Sequence, residues 1–284
     1  MAGLLDHIRI VLVEPAGALN VGSIARVMAN MGLSRLVLVN SHCDPLGEEA
    51  LRMAVHADGV LHQAQQVADL STALVGCQRA IATTARPRAD MPLETPEAAL
   101  PWLLNSDSDV PLETALIFGP EDRGLSNGEL NYAQRYVMIP ANPAYPSLNL
   151  AQAVAVCGYV LRHCADAGGG AAKLAQIRHA VSSTCTLPNS QAAPTAPSQT
   201  VLTAPIDQID GYFQHLEAVL LKIGYLYPHT ASSRLEKLRR LLYRAEPSEQ
   251  EVSMLRGILR QVEWALDRAS SVAVDTVDEA ETGG

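Results

Sequence analysis

Five short apolar runs punctuate the first 163 residues: IRIVLV from Ile8, RLVLVN from Arg35, AIATTA from Ala80, TALIFG from Thr114 and YVMIP from Tyr136. Each is too short for a helix and too uniformly apolar for a strand wet on one face. Such runs are strands buried on both sides. Helix-period segments lie between them, at Val21–Met31, Glu48–Ala57, Val67–Cys77, Pro96–Leu104 and Leu148–His163, with a capping box of Ser126 and Glu129 opening another. Ile24, Val27, Met28 and Met31 make one apolar stripe on the first. Strands alternating with helices predict an α/β domain with a mostly parallel sheet.

The pattern changes twice further on. Residues 166–205 are rich in Gly, Ala, Ser, Thr and Pro and read as a linker, with a short helix around Lys173–Val181. Residues 206–270 read as a small all-helical extension of three helices, the third capped by Ser248 with Glu251 and striped by Val252, Leu255, Leu259, Val262 and Leu266. The acidic end, 271–284, lacks periodicity and is expected to be a flexible tail. The domains are therefore 1–165, 166–205, 206–270 and 271–284.

Composition excludes several classes. No run of about 18 apolar residues could span a bilayer, and the start MAGLLDHIRI lacks a basic n-region and a long apolar run. A cytoplasmic protein is the expectation. The five cysteines (Cys43, Cys77, Cys157, Cys164, Cys185) include no CxxC pair, so no metal is expected. Cys157 and Cys164, seven apart, suit one helix face as small core residues. Neither GxGxxG nor GxxxxGK[ST] occurs, which removes the usual phosphate cradles.

Three loops stand out, each after a predicted strand, where open α/β sheets bind ligands. In EPAGALNVGSIARVMANMG from Glu14, Asn20 is a natural N-cap, and Arg26 points away from its helix's apolar stripe. Gly22, Ala25 and Ala29 offer small surfaces for close approach of another helix. In IFGPEDRGLSNGE, glycines let backbone approach a ligand, and Glu121 or Asp122 has Arg123 at hand as an ion-pair partner. In IPANPAYPSLNLAQAVAV, three prolines stiffen a polar loop, and Ser147 or Asn149 can cap the helix that follows.

Taken in order, N-x-G-S-x-A-R, F-G-P-E-x-x-G-L and I-P-x-N-P…S-L-N resemble the SpoU (TrmH-type) branch of the SPOUT methyltransferases, most closely its TrmJ-like tRNA 2′-O-methyltransferases. The resemblance covers 7–165 and, more loosely, 206–262. It implies a C-terminal trefoil knot in the α/β domain and a homodimer whose active site is completed across the interface. It implies S-adenosylmethionine as cofactor, in a pocket of Thr83, Thr84, Ala85, Gly119, Ile139, Pro146, Ser147 and Leu148. It implies methylation of a ribose 2′-hydroxyl of tRNA, at the cytidine or uridine of nucleotide 32 in the anticodon loop. Arg26, near an RNA phosphate, would either assist deprotonation of the hydroxyl or anchor the phosphate and orient the hydroxyl, the second being favoured, with Asn20, Glu121, Ser147 and Asn149 positioning Arg26 and the ribose. Two other readings share the fold: a noncatalytic RNA-binding protein, and a ribosomal-RNA 2′-O-methyltransferase.

The net charge of -9 looks unfavourable for an RNA partner, yet it is unevenly spread. Residues 1–165 carry -6 and the tail -4, while 205–270 are neutral. Within that neutral part Arg234, Lys237, Arg239, Arg240 and Arg244 face a single acid, Glu236, and form the candidate tRNA contact. Aromatic content of 4% disfavours base stacking and suits reading of backbone and shape.

Overall fold

The computed structural model describes residues 3–85, 92–105, 111–167 and 203–281. Two compact units divide the chain, Met1–Val201 and Leu202–Gly284.

The first unit is built on a seven-stranded sheet, all of whose pairings are parallel, ordered β3-β2-β1-β6-β4-β7-β5. Its strands are β1 (Ile8–Val13), β2 (Arg35–Val39), β3 (Gln65–Val67), β4 (Arg79–Thr83), β5 (Leu93–Glu94), β6 (Thr114–Phe118) and β7 (Arg135–Val137). The five apolar runs are five of these strands. β1 lies in the interior of the sheet beside the central β6, with Ile10 opposite Leu36 on one side and Leu116 on the other. Ile8, Ile10, Leu12, Leu116 and Phe118 are at most 1% exposed, as a strand covered on both faces requires.

The helices are α1 (Ala18–Met31), α2 (Glu48–Ala54), α3 (Asp58–His62), α4 (Leu70–Ala73), α5 (Pro96–Ala99), α6 (Pro101–Leu104), α7 (Asn127–Leu130) and α8 (Leu150–Asp166). Ile24 and Met28 of the α1 stripe are fully buried, and Val27 and Met31 pack against the same core. Cys157 of α8 is buried too, and burial pushes its thiol up to about 12, so it is inert filling. Cys164 packs on the same core, half-buried; Cys185 lies outside the described residues.

Three expectations are corrected here. The helix expected over Val67–Cys77 starts as strand β3 and contains only the short α4, because Asp69 caps Thr72 N–H and restarts the chain there. The helix expected over Glu48–Ala57 is cut short at Ala54, with a separate α3 from Asp58, and the one expected over Pro96–Leu104 is split in two at Pro101, which lacks the N–H to continue α5. The small residues of α1 do admit another helix: Gly22 and Ala25 are buried, and a Cβ on Gly22 would lie 2.1 Å from the Ala50 carbonyl oxygen, while Ala29 is exposed. The helix that approaches Gly22 is α2 of the same chain.

The second unit holds α9 (Ile206–Lys222), α10 (Pro228–Ala245) and α11 (Glu249–Glu281). Ile209, Phe213, Leu226, Ala231, Leu235, Tyr243 and Val252 form its core. Ser248 and Glu251 make the expected cap, with Glu251 N–H donating to Ser248 Oγ at 3.2 Å and Ser248 N–H to Glu251 Oε2 at 2.8 Å. α11 continues to Glu281, over most of the segment 271–284 expected to be a tail. No glycine or proline interrupts the chain between Gly257 and Gly283, so nothing stops the helix. The expected linker falls largely on residues 168–202, outside the described residues, as does the helix expected at 173–181.

Candidate active site

The loops after β1, β6 and β7 meet through side chains. Asn20, expected to cap α1, sits instead in its first turn; Gly17 occupies the cap with extended backbone and no side-chain bond. The helix starts early enough that the Asn20 amide is released from capping. It donates from Nδ2 to Glu121 Oε1 at 2.8 Å and accepts on Oδ1 from Asn149 Nδ2 at 3.0 Å. Asn149 is the N-cap of α8, its Oδ1 accepting from Ala151 and Gln152 N–H at 2.9 and 3.3 Å. Those two donors dictate which way the Asn149 amide points, and hence the direction of the whole chain. Glu121 receives the final donor, and its other oxygen accepts from Ala16 N–H at 3.4 Å.

The loop after β6 is a tight turn. A Cβ on Gly119 would lie 2.4 Å from Leu125 N and 2.5 Å from the Gly124 carbonyl carbon, both backbone atoms that cannot yield. Gly124 closes the turn at φ +67°, in the left-handed region, with its N–H on Pro120 O at 2.9 Å. Arg123 then pins the turn. Its guanidinium donates to Glu14 Oε2 at 2.7 Å, to Glu129 at 2.9 and 3.0 Å, and to Gly124 O at 3.0 Å. The ion pairs within the loop suggested by sequence are thus corrected: Glu121 bonds Asn20, and Asp122 accepts from the Arg123 backbone N–H, at 2.7 Å. Burial works against the Glu129 carboxylate, but hydrogen bonds from Arg123 and from Ser126 N–H outweigh it and hold its pKa below the ordinary range. The same bonds, from Glu129 and then Glu14, raise Arg123 above the usual arginine value and keep it charged.

Sequence reasoning missed the Glu14–Arg123–Glu129 clamp. Glu129 was already accounted for by the capping box, and it serves both roles. The one local signal at Glu14 is an exit from β1 at φ +47°, and that is visible only in the folded chain.

A cleft opens beside this frame, at the ends of β4, β6 and β7. All eight residues expected in the cofactor pocket line it: Thr83, Thr84, Ala85, Gly119, Ile139, Pro146, Ser147 and Leu148. Phe118, Val137, Leu150 and Ala153 add apolar wall, and Glu121, Asp122 and Arg123 form a charged rim. Thr83 is tied down by its Oγ1 donating to Ile117 O at 3.1 Å. Apolar walls suit a flat aromatic base, close-approaching backbone at Gly119 suits its polar edge, and an acidic rim suits a sulfonium cation. The residues present therefore fit S-adenosylmethionine.

Arg26 is not part of this cleft. It projects from α1 six residues after Asn20, about 120° further round the helix, and is exposed. Among the described residues it has no hydrogen-bond or ion-pair partner. Among the described residues no group of three or more His, Cys, Asp or Glu converges as for a metal ion, and no helix is long and apolar enough to cross a membrane.

On α10 the five basic residues separate. Arg234, Lys237 and Arg244 are exposed. Arg240 pairs with Glu236 one turn back. Arg239 turns inward, donating to Asp210 at 2.8 Å with its guanidinium 4.6 Å from the Phe213 ring centre. The expectation that Arg239 faces RNA is corrected: it lies about 140° round the helix from Arg234, on the face that packs against α9.

The sequence profile of the SpoU rRNA methylase family matches residues 7–159, and that of the tRNA methyltransferase TrmJ C-terminal domain matches 207–272. The chain is 37% identical over 273 residues to the tRNA (cytidine/uridine-2′-O-)-methyltransferase TrmJ of Pectobacterium atrosepticum, covering 93% of this chain and 100% of that protein. It is 36% identical to the enzyme of the same name from Klebsiella pneumoniae, covering 92% and 98%. Among solved structures, TrmJ from Z. mobilis ZM4 is similar with a TM-score of 0.71 at 29% identity, covering 90% of this chain and 98% of that one. A methylase-family protein from Neisseria gonorrhoeae is similar with a TM-score of 0.57 at 32% identity, covering 76% and 97%.

Proposed function

This chain belongs to the SpoU methylase family, and from that membership we propose that it transfers a methyl group from S-adenosylmethionine to a ribose 2′-hydroxyl of tRNA. The observation that carries the reading is the convergence of eight pocket residues, drawn from three loops, on one cleft beside the Glu121–Asn20–Asn149 chain. The tRNA substrate is supported by near full-length similarity to enzymes named for it, and by the match of 207–272 to the TrmJ C-terminal domain. That helical extension favours tRNA over ribosomal RNA. We assign the target to the cytidine or uridine at nucleotide 32, on the resemblance of the three motifs to the TrmJ-like group.

Bound S-adenosylmethionine would supply a methyl group activated by its positive sulfur. The chain has to orient the acceptor oxygen in line with it and keep water out. Phe118, Val137, Ile139 and Leu150 wall the cleft against water. Glu121, held by Asn20 and by Ala16 N–H, is fixed on the rim. Arg26, exposed on α1, would anchor an RNA phosphate and orient the 2′-hydroxyl. Asn20 and Asn149 brace the frame, and Ser147 stands on the cleft wall within reach of the ribose.

Because Arg26 does not line its own chain's cleft, we place it in the cleft of a second copy, in a homodimer. The loops 119–125 and 140–149 would belong to a trefoil knot, and the protein would work in the cytoplasm. Exposed Arg234, Lys237 and Arg244 of α10 would contact tRNA phosphates.

The test is methyl transfer from labelled S-adenosylmethionine to unmodified tRNA transcripts, followed by nucleotide mapping. Transfer to a 2′-hydroxyl at nucleotide 32 is expected; no transfer to any transcript at saturating cofactor overturns the reading. Arg26→Ala should lower kcat by about a hundredfold or more, with cofactor affinity within about twofold by titration calorimetry. Mixing Arg26→Ala chains with chains disabled at Gly119 should restore activity if the site is shared between copies.

A further inference from the structure

The chain has few aromatic residues, but the second unit displays two of them in a way that burial does not explain. Between α9 and α10 the chain turns at Gly224, φ +74°, and both Tyr225 and Leu226 N–H donate to Leu220 O at 3.0 Å. Leu226 is thereby driven into the core at 2% exposure. Its neighbours on either side face out, Tyr225 at 58% exposure and Tyr227 at 57%. Pro228 then starts α10, and Tyr227 O accepts from Thr230 and Ala231 N–H, both at 2.9 Å. The two rings are thus carried on backbone fixed from both ends, so ordering them for a ligand costs little.

Their surroundings are cationic and aromatic. The Arg234 guanidinium lies 5.7 Å from the Tyr225 ring centre, and its Nη1 donates to Tyr225 O at 3.2 Å. The Tyr227 and His229 rings stack at 6.0 Å with 23° between planes. No acidic residue occurs from 218 to 235. Arg234, Lys237 and Arg244 then follow along one exposed side of α10, within an arc of about 80°. Exposed π-faces beside a track of positive charge are what unpaired nucleotides need: bases stack on the rings while the backbone runs along the cations.

We propose that Tyr225 and Tyr227 form a base-stacking platform for unpaired nucleotides of an RNA, with Arg234 holding the adjoining phosphate. This rests on the reading of the chain as a tRNA methyltransferase and adds to it a recognition mode, since a phosphate track alone carries no preference for single-stranded over paired RNA. Stacking requires the ring face and not the hydroxyl. Tyrosine to phenylalanine should preserve it, and tyrosine to leucine should remove it while keeping apolar bulk.

The experiment compares full-length wild-type protein, Tyr225→Leu/Tyr227→Leu and Tyr225→Phe/Tyr227→Phe in binding an unmodified tRNA transcript by fluorescence anisotropy over a salt series. The leucine variant should bind about tenfold more weakly or worse, with the slope of log Kd against log salt unchanged, because no phosphate contact is lost. The phenylalanine variant should stay within about twofold of wild type. In turnover, KM for tRNA should rise in the leucine variant while kcat and cofactor affinity hold, which also shows the fold intact. Wild-type affinity in the leucine variant overturns the platform, as does a phenylalanine variant as weak as leucine. A leucine variant that keeps its tRNA affinity but changes oligomeric state by sedimentation overturns it in favour of a protein-docking role. If wild type methylates tRNA and only the platform variants fail to differ, this inference falls alone; if wild type neither binds nor methylates any tRNA, the proposed function falls with it.

Discussion

Asn149 carries two jobs through one amide: its oxygen caps α8 and its nitrogen holds Asn20. The two can be separated. Asn149→Asp keeps an oxygen for the helix N–H groups, but it removes the donor and turns a carboxylate towards Asn20 Oδ1. We expect its urea midpoint to stay near that of wild type while kcat falls about tenfold. Asn149→Ala loses both jobs, and equilibrium unfolding should show an added cost of about 1 kcal/mol for the missing cap. At Gly119 the constraint is steric. Gly119→Ala places a methyl group against the backbone of Gly124 and Leu125, so the turn must open. Cofactor binding by calorimetry should be lost, and the unfolding free energy should drop by about 1–3 kcal/mol. The types of these residues were readable in the sequence. The partner of Asn20 was not, because an asparagine at a helix start fits a cap equally well, and only the position of Gly17 one turn earlier decides against it.

At the scale of elements, the sheet is held at the end away from the cleft by a carboxylate just before β6. Glu113 accepts from His7 Nδ1 at 2.9 Å and from Arg35, with Arg9 3.7 Å away, so the edges of β1, β2 and β6 share one anion. Burial works against the Glu113 carboxylate, but the bonds from His7 and Arg35 outweigh it and lower its pKa from 4.5. A carboxyl depressed on folding stabilises the fold fully above its unfolded value and loses that contribution as pH falls through the lower, folded value. Glu113→Gln should therefore be less stable than wild type at pH 7, and the gap in urea midpoints should close as pH drops below about 4.5. A gap that stayed constant with pH would mean the ion cluster contributes nothing. The five central strands were legible as apolar runs. β3 and β5 were not: they are edge strands of three and two residues, and edge strands that short bury too little to leave an apolar signature.

For the whole molecule the question is where a net charge of -9 leaves room for a polyanion. Arg239 and its neighbours on α10 give a measurable answer, because the helix divides them by direction. Lys237→Ala and Arg244→Ala should each weaken tRNA binding and lower the slope of log Kd against log salt by about one. Arg239→Ala should leave that slope unchanged and instead destabilise the second unit by about 3 kcal/mol, because Asp210, its ion-pair partner, is 7% exposed and would be left unpaired in a buried setting. Chemical denaturation followed by far-UV circular dichroism separates the two effects.

The alternation of strands and helices, the three loops at strand ends, the helical extension, and the residue types that the site would need are all legible in the linear chain. These are local properties: periodicity, caps and backbone freedom act over a few residues, so a linear reading captures them. Which of several chemically equivalent partners each polar group takes is set by the folded chain. Arg123 passes over its neighbours for Glu14, 109 positions away, and Glu129; Asn20 leaves its helix for Glu121 and Asn149; Arg239 turns from solvent to Asp210; and Leu226, by burying itself, exposes the tyrosines on either side. An ion pair or a hydrogen bond is as favourable with one carboxylate as with another, so the path of the chain makes the choice.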